Sequence, residues 1–304
     1  MRFLIPGING LLGSNLARCL GRRGHTIVGN GRQPSTPSPV ERYLPGDLSQ
    51  PPFASRLVAQ AKPDVIINCV GLANVNLCES DPGMARTVNV LTAMNLAKAA
   101  AAAGIRFLHI STDHLFKGDE PFRKETDPPA PVNEYGRSKW EGEKAVLETC
   151  TQAAVIRTNF YGWSPAGHAP TFAEWLYQSL SEKHPIHLYT DYYFNSIEVS
   201  YLAEALEEVT HSNYRGLLNI ASPERVSKYE FGRALAEVFR LSMKSVTACS
   251  FEPKTMAVKR PRDLSLSTAL FSSHFKTALP NLREGLRRLH EERLTTQTGR
   301  RTPA

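Results

Sequence analysis

Short apolar runs alternate with segments of helical periodicity through the first half of the chain. Residues 2–6 form an apolar run suited to a buried strand, and apolar side chains then recur at helical spacing up to Leu20, before basic residues and Gly24 end the helix. The same alternation predicts further strands at 26–29, 64–70, 106–110 and 154–157, and helices at 84–103 and 135–147. This rhythm predicts an α/β fold with a doubly wound parallel sheet, which binds ligands at the carboxyl ends of its strands.

The pattern changes after Thr158. Aromatic side chains become frequent, the apolar runs become shorter and prolines interrupt the loops. We interpret this half as a smaller C-terminal α/β lobe that closes over the sheet. A short apolar run at 217–220 predicts a strand that returns to the sheet, and a helix is predicted after it at 229–240.

A glycine-rich turn lies between the first predicted strand and the first predicted helix. Gly7, Gly10 and Gly13 follow the pattern Gly-x-x-Gly-x-x-Gly. Glycines let the backbone approach a pyrophosphate closely, and the free N–H groups and positive dipole end of the next helix then face the phosphates. The position of this turn predicts a dinucleotide site. The alternative is a turn that serves only close packing.

The residues after the second predicted strand indicate which dinucleotide is bound. An acidic residue about twenty positions beyond the glycines would hold an adenosine ribose 2′-hydroxyl, but this strand ends at Asn30-Gly31-Arg32. The Arg32 guanidinium can instead meet a 2′-phosphate. Arg32 therefore favours NADP(H), with NAD as the second choice. The alternative interpretation of Arg32 is an exposed loop cation that binds no ligand.

Composition and charge exclude several classes of protein. The 304 residues, 41% hydrophobic and 21% charged, are typical of a globular protein. No apolar run approaches the ~18 residues of a membrane span and no signal-peptide pattern is present, so we expect a cytoplasmic protein. The net charge of +7 is spread along the chain without a nucleic-acid motif, so no nucleic-acid partner is predicted. Five cysteines without metal-binding spacing predict reduced thiols and no metal site.

Tyr135 and Lys139 are the candidate chemical groups. Four residues apart on a predicted helix, they lie on one face with about 5–6 Å between their Cβ atoms. A free tyrosine titrates near ~10, and a cation fixed beside it lowers that pKa. The pair can therefore act as an acid or base at a carbonyl or carbinol carbon. Tyr-x-x-x-Lys also occurs on ordinary solvated helices, so its weight here comes from the dinucleotide turn.

Several motifs together resemble the extended short-chain dehydrogenase/reductases, and most closely the dTDP-4-dehydrorhamnose reductase family. The likeness spans nearly the whole chain, and its specific part is Ser111-Thr112-Asp113 ahead of Tyr-x-x-x-Lys. The motifs that carry it are the glycine turn and the segments 65–71, 78–82, 88–89, 110–118, 133–139, 157–162 and 260–266.

The resemblance and the change of pattern after Thr158 together imply a division of the chain. An NAD(P)-binding Rossmann domain is expected over 1–160. A substrate-binding lobe is expected over 161–294, with segments that return to the Rossmann sheet. The final polar segment, 295–304, is predicted to be a disordered tail.

The resemblance also implies roles for individual residues. Thr112 would help to hold the substrate oxygen, Tyr135 would donate a proton to it, and Lys139 would lower the pKa of Tyr135 and hold the nicotinamide ribose. The residues implied to bind the cofactor are Gly7, Asn9, Gly10, Leu11, Leu12, Gly13, Arg32, Asp47, Leu48, Val70, Gly71, Leu72, Asn89, Tyr135 and Lys139. The residues implied to bind the substrate are Asn74, Asp113, His114, Asn159 and Asn195. The implied reaction is NADPH-dependent reduction of the keto group of a nucleotide-linked 4-keto-6-deoxy sugar, by a single chain or a homodimer.

Other functions use the same scaffold. A 4,6-dehydratase carries a glutamate after Thr-Asp, where this chain has His114, and this argues against dehydration. A 4-epimerase reuses Thr112, Tyr135 and Lys139 with a retained NAD, which the missing ribose-binding acid disfavours. A non-catalytic, cofactor-binding regulatory subunit would not need all three residues. We therefore expect a reductase, with the epimerase and the regulatory subunit as alternatives.

Departures from the family pattern concern the substrate. His114 replaces the usual tyrosine, and 70–72 replaces small and aromatic residues near the nicotinamide. Asn74 and Asn195 lie in segments where the family commonly has an aspartate and a proline. The chemistry therefore stays plausible, while the sugar and its nucleotide are left open.

Overall fold

The computed structural model describes residues 1–33, 40–165, 167–252 and 256–299, and a parallel sheet forms its centre. The strands of this sheet are β1 (Arg2–Pro6), β2 (Thr26–Asn30), β3 (Arg42–Tyr43), β4 (Val65–Asn68), β5 (Arg106–Ile110), β6 (Ala154–Thr158) and β11 (Gly216–Ile220). Their order is β11-β6-β5-β4-β1-β2-β3, and every neighbouring pair is parallel. The predicted doubly wound parallel sheet is confirmed.

Helices cover both faces of the sheet. The helices are α1 (Leu11–Arg22), α2 (Pro51–Ala61), α3 (Val75–Ser80), α4 (Pro82–Arg86), α5 (Thr92–Ala103), α6 (Glu134–Thr149), α7 (Phe172–Ser181), α8 (Val199–His211), α9 (Lys228–Phe239), α10 (Ala269–His274) and α11 (Leu282–Gly299). Along β1, Phe3 and Ile5 face one core, which also contains Leu16 of α1 and Leu206 of α8, and Leu4 faces the other. Because both faces are covered, the strands have continuous apolar sequences.

The order of the strands reverses between β1 and β4. The chain continues from β1 to β2 and β3 on one side, and β4, β5 and β6 follow on the other side. The carboxyl ends of β1 and β4 therefore flank a crevice, which is where open α/β sheets bind their ligands. Helix α1 and the loop after β4 both begin at this crevice.

The C-terminal lobe consists of short strand pairs and helices around an aromatic core. The pairs are β7 (Phe160–Tyr161) with β10 (Ile197–Glu198), β8 (Ile186–Tyr189) with β13 (Val246–Cys249), and β9 (Tyr193–Phe194) with β12 (Val226–Ser227). Ring centroids of Phe194 and Phe231 lie 5.5 Å apart in this core. A capping box between Ser227 and Glu230 starts α9 and puts Lys228 in its first turn.

The predicted elements of this half agree with the structure except at the C-terminus. The predicted strand at 217–220 is confirmed as β11, beside β6, and the predicted helix at 229–240 is confirmed as α9. The predicted disordered tail begins too early, because α11 continues to Gly299, and 300–304 lie outside the described residues. None of the helices in the described ranges is both long and apolar enough to cross a lipid bilayer.

The predicted helix at 84–103 is irregular near its start. Between α4 and α5, Thr87–Leu91 form a π-helical turn, in which the N–H of Thr92 donates to the carbonyl oxygen of Thr87. The Thr92 hydroxyl donates to the same oxygen at 3.2 Å. Such turns are rare in proteins, and those that occur often lie at functional sites. This one carries Asn89, which is completely buried.

Candidate active site

The turn between β1 and α1 requires glycine at two positions. Gly7 has a φ of +77°, and a Cβ on it would lie 2.8 Å from the backbone of Cys69. A Cβ on Gly13 would overlap the carbonyl oxygen of Gly7. The N–H of Gly7 donates to the carbonyl of Asn30 at 2.9 Å. The backbone of this turn therefore lies close to the ends of β1, β2 and β4, and Gly7 and Gly13 place no side chain there.

The first turn of α1 faces the crevice without a side-chain cap. Its N-cap residue is Gly10, which is extended, and no acidic residue lies in the first turn. Leu11, Leu12 and Gly13 line the cleft described below. The N–H groups at such a helix end and the helix dipole attract an anion. This end of α1 therefore suits the phosphates of a dinucleotide.

Two buried asparagines hold the loop after β4. Asn68 ends the strand, and its Oδ1 accepts a hydrogen bond from the N–H of Val70 at 3.1 Å. Asn89, in the π-helical turn, accepts from the N–H of Leu72 at 2.8 Å and donates to the Leu72 carbonyl at 3.2 Å. Asn89 also donates to the hydroxyl of Ser138 on α6 at 2.9 Å. Its amide is thus engaged in joining this loop to α6.

A chain of hydrogen bonds begins directly after β5. The Thr112 hydroxyl donates to Oδ1 of Asp113 at 3.1 Å and accepts from the N–H of His114 at 3.2 Å. Asn159, which follows β6, donates to Oδ2 of Asp113 at 2.5 Å, and Ser196 donates to Oδ1 of Asn159 at 2.6 Å. Because each group is held by the next, the Thr112 hydroxyl has a defined place at the carboxyl end of the sheet.

Helix α6 presents Tyr135 and Lys139 to the same place. Asn133 caps the helix with its side chain. The Nζ atom of Lys139 donates to the carbonyl oxygen of Ile110, the last residue of β5, at 2.7 Å, and the side chain is buried. Tyr135 and Thr112 line the same cleft, and the Thr112 side chain interacts favourably with the Tyr135 phenolate. The helix and the strand end therefore bring the three residues predicted to be catalytic together.

These groups share one cleft of about 410 Å³. The predicted site residues that line it are Gly10, Leu11, Leu12, Gly13, Val70, Gly71, Thr112, Asp113, His114, Tyr135, Lys139 and Asn159. The lining residues for which no role was predicted are Cys69, Ala73, Val75, Ile110, Ser111, Thr158 and Phe160. The uncapped N-terminus of α1 and the candidate acid Tyr135 thus face the same cleft.

Burial determines the protonation states in this cleft. Burial raises the pKa of Tyr135 above its usual value, and the nearby Asp113 carboxyl raises it further. Burial lowers the pKa of Lys139 to about 8, an effect that Glu143 opposes. Burial also raises the pKa of Asp113 to about 6. The shift at Tyr135 is opposite to the predicted one, since the desolvation of the phenolate outweighs any attraction to Lys139.

His114 is a neutral imidazole beside the candidate acid. Burial, together with the positive charges of Arg260 and Lys228, lowers its pKa to about 3. Its ring meets the Tyr135 ring edge-on, with 5.3 Å between centroids. Both cations belong to the C-terminal lobe, so the lobe adjoins the cleft at His114.

A second cavity of about 250 Å³ lies in the C-terminal lobe. Its lining residues are Phe172, Trp175, His187, Leu188, Tyr189, Tyr192, Lys228, Phe251, Met256 and Arg260. The Nζ atom of Lys228 lies 3.9 Å from the ring centroid of Phe172 and 3.8 Å from that of Phe194. The Nη1 atom of Arg260 is buried, and no hydrogen-bond partner for it exists among the described residues. The sequence showed the aromatic enrichment here but not the grouping around two cations.

Asn195, predicted to bind substrate, lines neither of these two cavities, and its side chain is engaged by the backbone of the lobe. Its side chain donates to the carbonyl oxygens of Ser222 and Leu266, both at 2.8 Å, and accepts from the N–H of Leu266 at 3.0 Å. The residue is buried, and these bonds engage the whole amide. Asn195 therefore joins three backbone segments of the lobe.

The other predicted residues outside the two cavities are Gly7, Asn9, Arg32, Asp47, Leu48, Leu72, Asn74 and Asn89. Leu48 packs in the hydrophobic core, and Asn74 caps α3 by accepting from the N–H of Leu77 at 3.0 Å. Asn9 donates to the Tyr43 hydroxyl at 3.2 Å near the end of β2, where Arg32 is exposed. The side chain of Asn9, within the glycine turn, thus reaches toward β3, and Arg32 follows β2 on the same side of the sheet.

Known proteins resemble this chain over nearly its whole length. The probable low-salt glycan biosynthesis reductase Agl14 of Haloferax volcanii is 29% identical over 291 residues, which are 94% of this chain and 96% of that protein. The dTDP-4-dehydrorhamnose reductase of Escherichia coli is 28% identical over 308 residues, which are 97% and 99% of the two chains. Methionine adenosyltransferase 2 subunit beta of Xenopus laevis is 28% identical over 264 residues, with 83% and 76% covered.

A solved structure has the same fold. The dTDP-4-dehydrorhamnose reductase from Bacillus anthracis, in complex with NADP, matches with a TM-score of 0.82 at 24% identity and covers 96% of this chain and 99% of that one. The resemblance inferred from the motifs is confirmed by these relatives. Because residues 1–294 match the RmlD substrate binding domain, the chain belongs to that family.

Proposed function

We propose that this protein is an NADPH-dependent reductase of the keto group of a nucleotide-linked 4-keto-6-deoxy sugar. The observation that carries the proposal is that one cleft contains the uncapped N-terminus of α1, the Thr112 hydroxyl and the Tyr135–Lys139 pair. Two relatives that cover nearly the whole chain are named as reductases, one of them dTDP-4-dehydrorhamnose reductase.

The residues at the crevice fit a dinucleotide. Gly7 and Gly13 leave the turn without side chains, and the free end of α1 suits the phosphates. Lys139 would bind the nicotinamide ribose, and the exposed Arg32 would meet the 2′-phosphate of NADPH. The Bacillus anthracis reductase was solved with NADP. When bound, NADPH supplies a hydride to the carbonyl carbon of the sugar.

Tyr135 is the proposed proton donor. Its raised pKa keeps the phenol protonated at neutral pH, which is the form that can donate. A substrate oxygen beside Tyr135 and Thr112 can accept from both hydroxyls once Thr112 turns away from Asp113. A positioned acid contributes a factor of about 10²–10⁴ in rate, and one preorganised donor about 3–4 kcal/mol. The cationic Lys139 nearby would stabilise the phenolate left after proton transfer.

The C-terminal lobe is the proposed site for the nucleotide part of the substrate. Lys228 and Arg260 supply two cations beside the cleft, and a diphosphate suits such a pair. The aromatic rings around Lys228 offer apolar faces on which a base can stack. The sugar would then extend past His114 toward Tyr135.

A regulatory subunit is the second candidate, because one relative is named methionine adenosyltransferase 2 subunit beta. A protein of this kind would bind NADPH and leave the sugar unreduced. The retained polar chain from Thr112 to Asn159 favours the reductase, since a protein that only binds the cofactor has no use for an ordered hydroxyl beside Tyr135.

Turnover with a panel of substrates tests the proposal. We would follow the loss of NADPH and NADH absorbance with freshly generated dTDP-4-keto-6-deoxy sugars and with their UDP and GDP analogues, using heat-denatured protein as the control. Oxidation of NADPH by one sugar would support the reductase and identify its nucleotide. Tight NADPH binding without turnover on any sugar would overturn it in favour of the regulatory subunit, and interconversion of sugars without net oxidation would indicate the epimerase.

A further inference from the structure

His25, Glu207 and His211 form a cluster outside the catalytic cleft. His25 directly precedes β2, and Glu207 and His211 lie four residues apart on one face of α8. The Nε2 atom of His25 is 2.7 Å from Oε1 of Glu207, and the ring centroids of the two histidines are 6.4 Å apart. One potential ligand atom from each residue lies within 4.8 Å of the other two. None of the three lines the cleft.

The separations in this cluster are near those of a metal site. A tetrahedral Zn²⁺ with ligands at about 2.0–2.1 Å holds its ligand atoms about 3.4 Å apart. The contact between His25 and Glu207 would therefore widen by less than about 1 Å, and the widest separation would close by at most about 1.4 Å. His211 is exposed, so rotation of its side chain can supply this movement.

The ligand types also suit a transition metal. Two imidazoles and one carboxylate are common ligands of Zn²⁺ and of other late divalent ions of the first transition row. Oε2 of Glu207 lies 2.5 Å from Nε of Arg23, which would hold the carboxylate in place while Oε1 binds the ion. Glu204 and Glu208 border the same surface cavity of about 350 Å³ as Arg23, and Glu204 also pairs with Arg288 at 2.8 Å.

We propose that His25, Glu207 and His211 bind one Zn²⁺ or a similar divalent transition-metal ion, with water completing its coordination. The ion would bind Nε2 of His25 in place of its proton, and the ring would stay neutral with its proton on Nδ1, the nitrogen that lies 3.3 Å from the amino nitrogen of Met1. One proton would be released to solvent. The His25 ring packs edge-on against Phe3 of β1, with 5.0 Å between centroids. The ion would thus join α8 to the first strands of the sheet and stabilise the fold.

Metal binding by the untagged full chain tests this site without reference to catalysis. After removal of bound metal with a chelator, titration calorimetry with Zn²⁺ should give one ion per chain, and Co²⁺ should develop visible d–d absorption. His211→Gln should weaken Zn²⁺ binding by more than about tenfold. Zn²⁺ should raise the melting temperature of the wild type and not that of the variant.

The matched control is His184→Gln, which removes an exposed histidine that contacts Glu182. It should bind Zn²⁺ as the wild type does, and both variants should retain the turnover of the wild type. Equal Zn²⁺ affinity in His211→Gln and the wild type would overturn the proposal, as would a folded wild type that binds no Zn²⁺. Either result would leave the proposed reductase unaffected.

Discussion

Gly136 on α6 lies against the carbonyl oxygen of His114, so close that a Cβ on Gly136 would overlap this oxygen. Gly136 follows Tyr135, and His114 lies two residues beyond Thr112. The contact therefore determines how near the candidate acid comes to the hydroxyl that is proposed to share its substrate oxygen. A glycine is required here by the approach of the loop and not by its own backbone conformation.

Replacing Gly136 with alanine should separate the helix from the loop. We expect Gly136→Ala to destabilise the fold by about 1–3 kcal/mol, as overpacking typically does, and to lower kcat at least tenfold. Thermal unfolding and steady-state kinetics measure the two effects. Gly83→Ala is the control, because its nearest neighbour is a side-chain oxygen of Asp81 at 3.4 Å. A variant with wild-type kcat would show that this contact does not position Tyr135.

Removing the Tyr135 hydroxyl should abolish turnover and leave cofactor binding intact. In Tyr135→Phe we expect kcat to fall by about 10²–10⁴, because the ring remains and only the proton donor is lost. NADPH binding, followed by fluorescence, should stay within threefold of the wild type. Activity within threefold of the wild type would eliminate Tyr135 as the acid.

Reversing the charge at Arg32 should change the choice of cofactor. Arg32 is exposed after β2, where the 2′-phosphate of NADPH is proposed to lie. Arg32→Asp should therefore lower the ratio of kcat/KM with NADPH to that with NADH by at least tenfold. Arg56→Asp makes the same change of charge on an exposed face of α2 and should keep the wild-type ratio. An unchanged ratio in Arg32→Asp would place the 2′-phosphate elsewhere.

Truncating Asn195 should cost stability and not substrate affinity. Asn195→Ala leaves three hydrogen bonds to buried backbone groups unmade, which costs about 1–3 kcal/mol for each group left unpaired. Denaturant unfolding should show this loss, while KM for the sugar nucleotide stays within threefold. Asn74→Ala is the comparison, and we expect it to lose only the roughly 1 kcal/mol of a helix cap. A large rise in KM with unchanged stability would contradict this expectation and support Asn195 as a substrate ligand.

Glu198 should make the folded state less stable as the pH rises. Burial and the nearby Glu292 raise the Glu198 pKa from 4.5 to about 8, so between these values the folded chain holds a proton that the unfolded chain has released. Stability should therefore fall through this window, by at most about 1.4 kcal/mol per pH unit. Glu198→Gln should remove this part of the slope in unfolding curves from pH 5 to 8. The exposed Glu148→Gln should keep the wild-type slope, and an identical slope in both variants would contradict the assignment.

The central fold and the chemical groups were predictable because short sequence patterns determine both. Alternating apolar runs and helices specify a parallel sheet, and ligands then lie at its carboxyl edge. Thr112 follows directly after a strand, and Tyr135 and Lys139 share one helix face, so the pattern alone brings them near one another. The glycine turn is likewise specified by a short sequence pattern. Gly7 and Gly13 are both needed because other backbone atoms lie too close for a Cβ atom.

The positions of other site residues depend on contacts that no short pattern encodes. Asn195 and Asn74 are predicted to bind substrate, and in the fold their amides accept hydrogen bonds from the backbone N–H groups of Leu266 and Leu77. A ligand and a backbone N–H are similar partners for an amide, so a sequence pattern does not distinguish them. The direction of the Tyr135 pKa shift likewise depends on burial, which spacing does not reveal. Lys228 gains its surroundings from Phe172 and Phe194, which are distant in sequence.

The π-helical turn at Thr87–Leu91 has a consequence for changes in the length of this chain. The turn accommodates one residue more than an α-helical turn, because its hydrogen bonds reach one residue further back. Deleting a single residue there would restore a regular helix and rotate α4 by about 100° relative to α5. Asn89 would then lose its hydrogen bonds to Leu72 and Ser138, which hold the loop after β4 in place. The shape of the cleft therefore depends on the helical phase of this segment. An insertion or deletion here should be tolerated less well than one in an exposed loop.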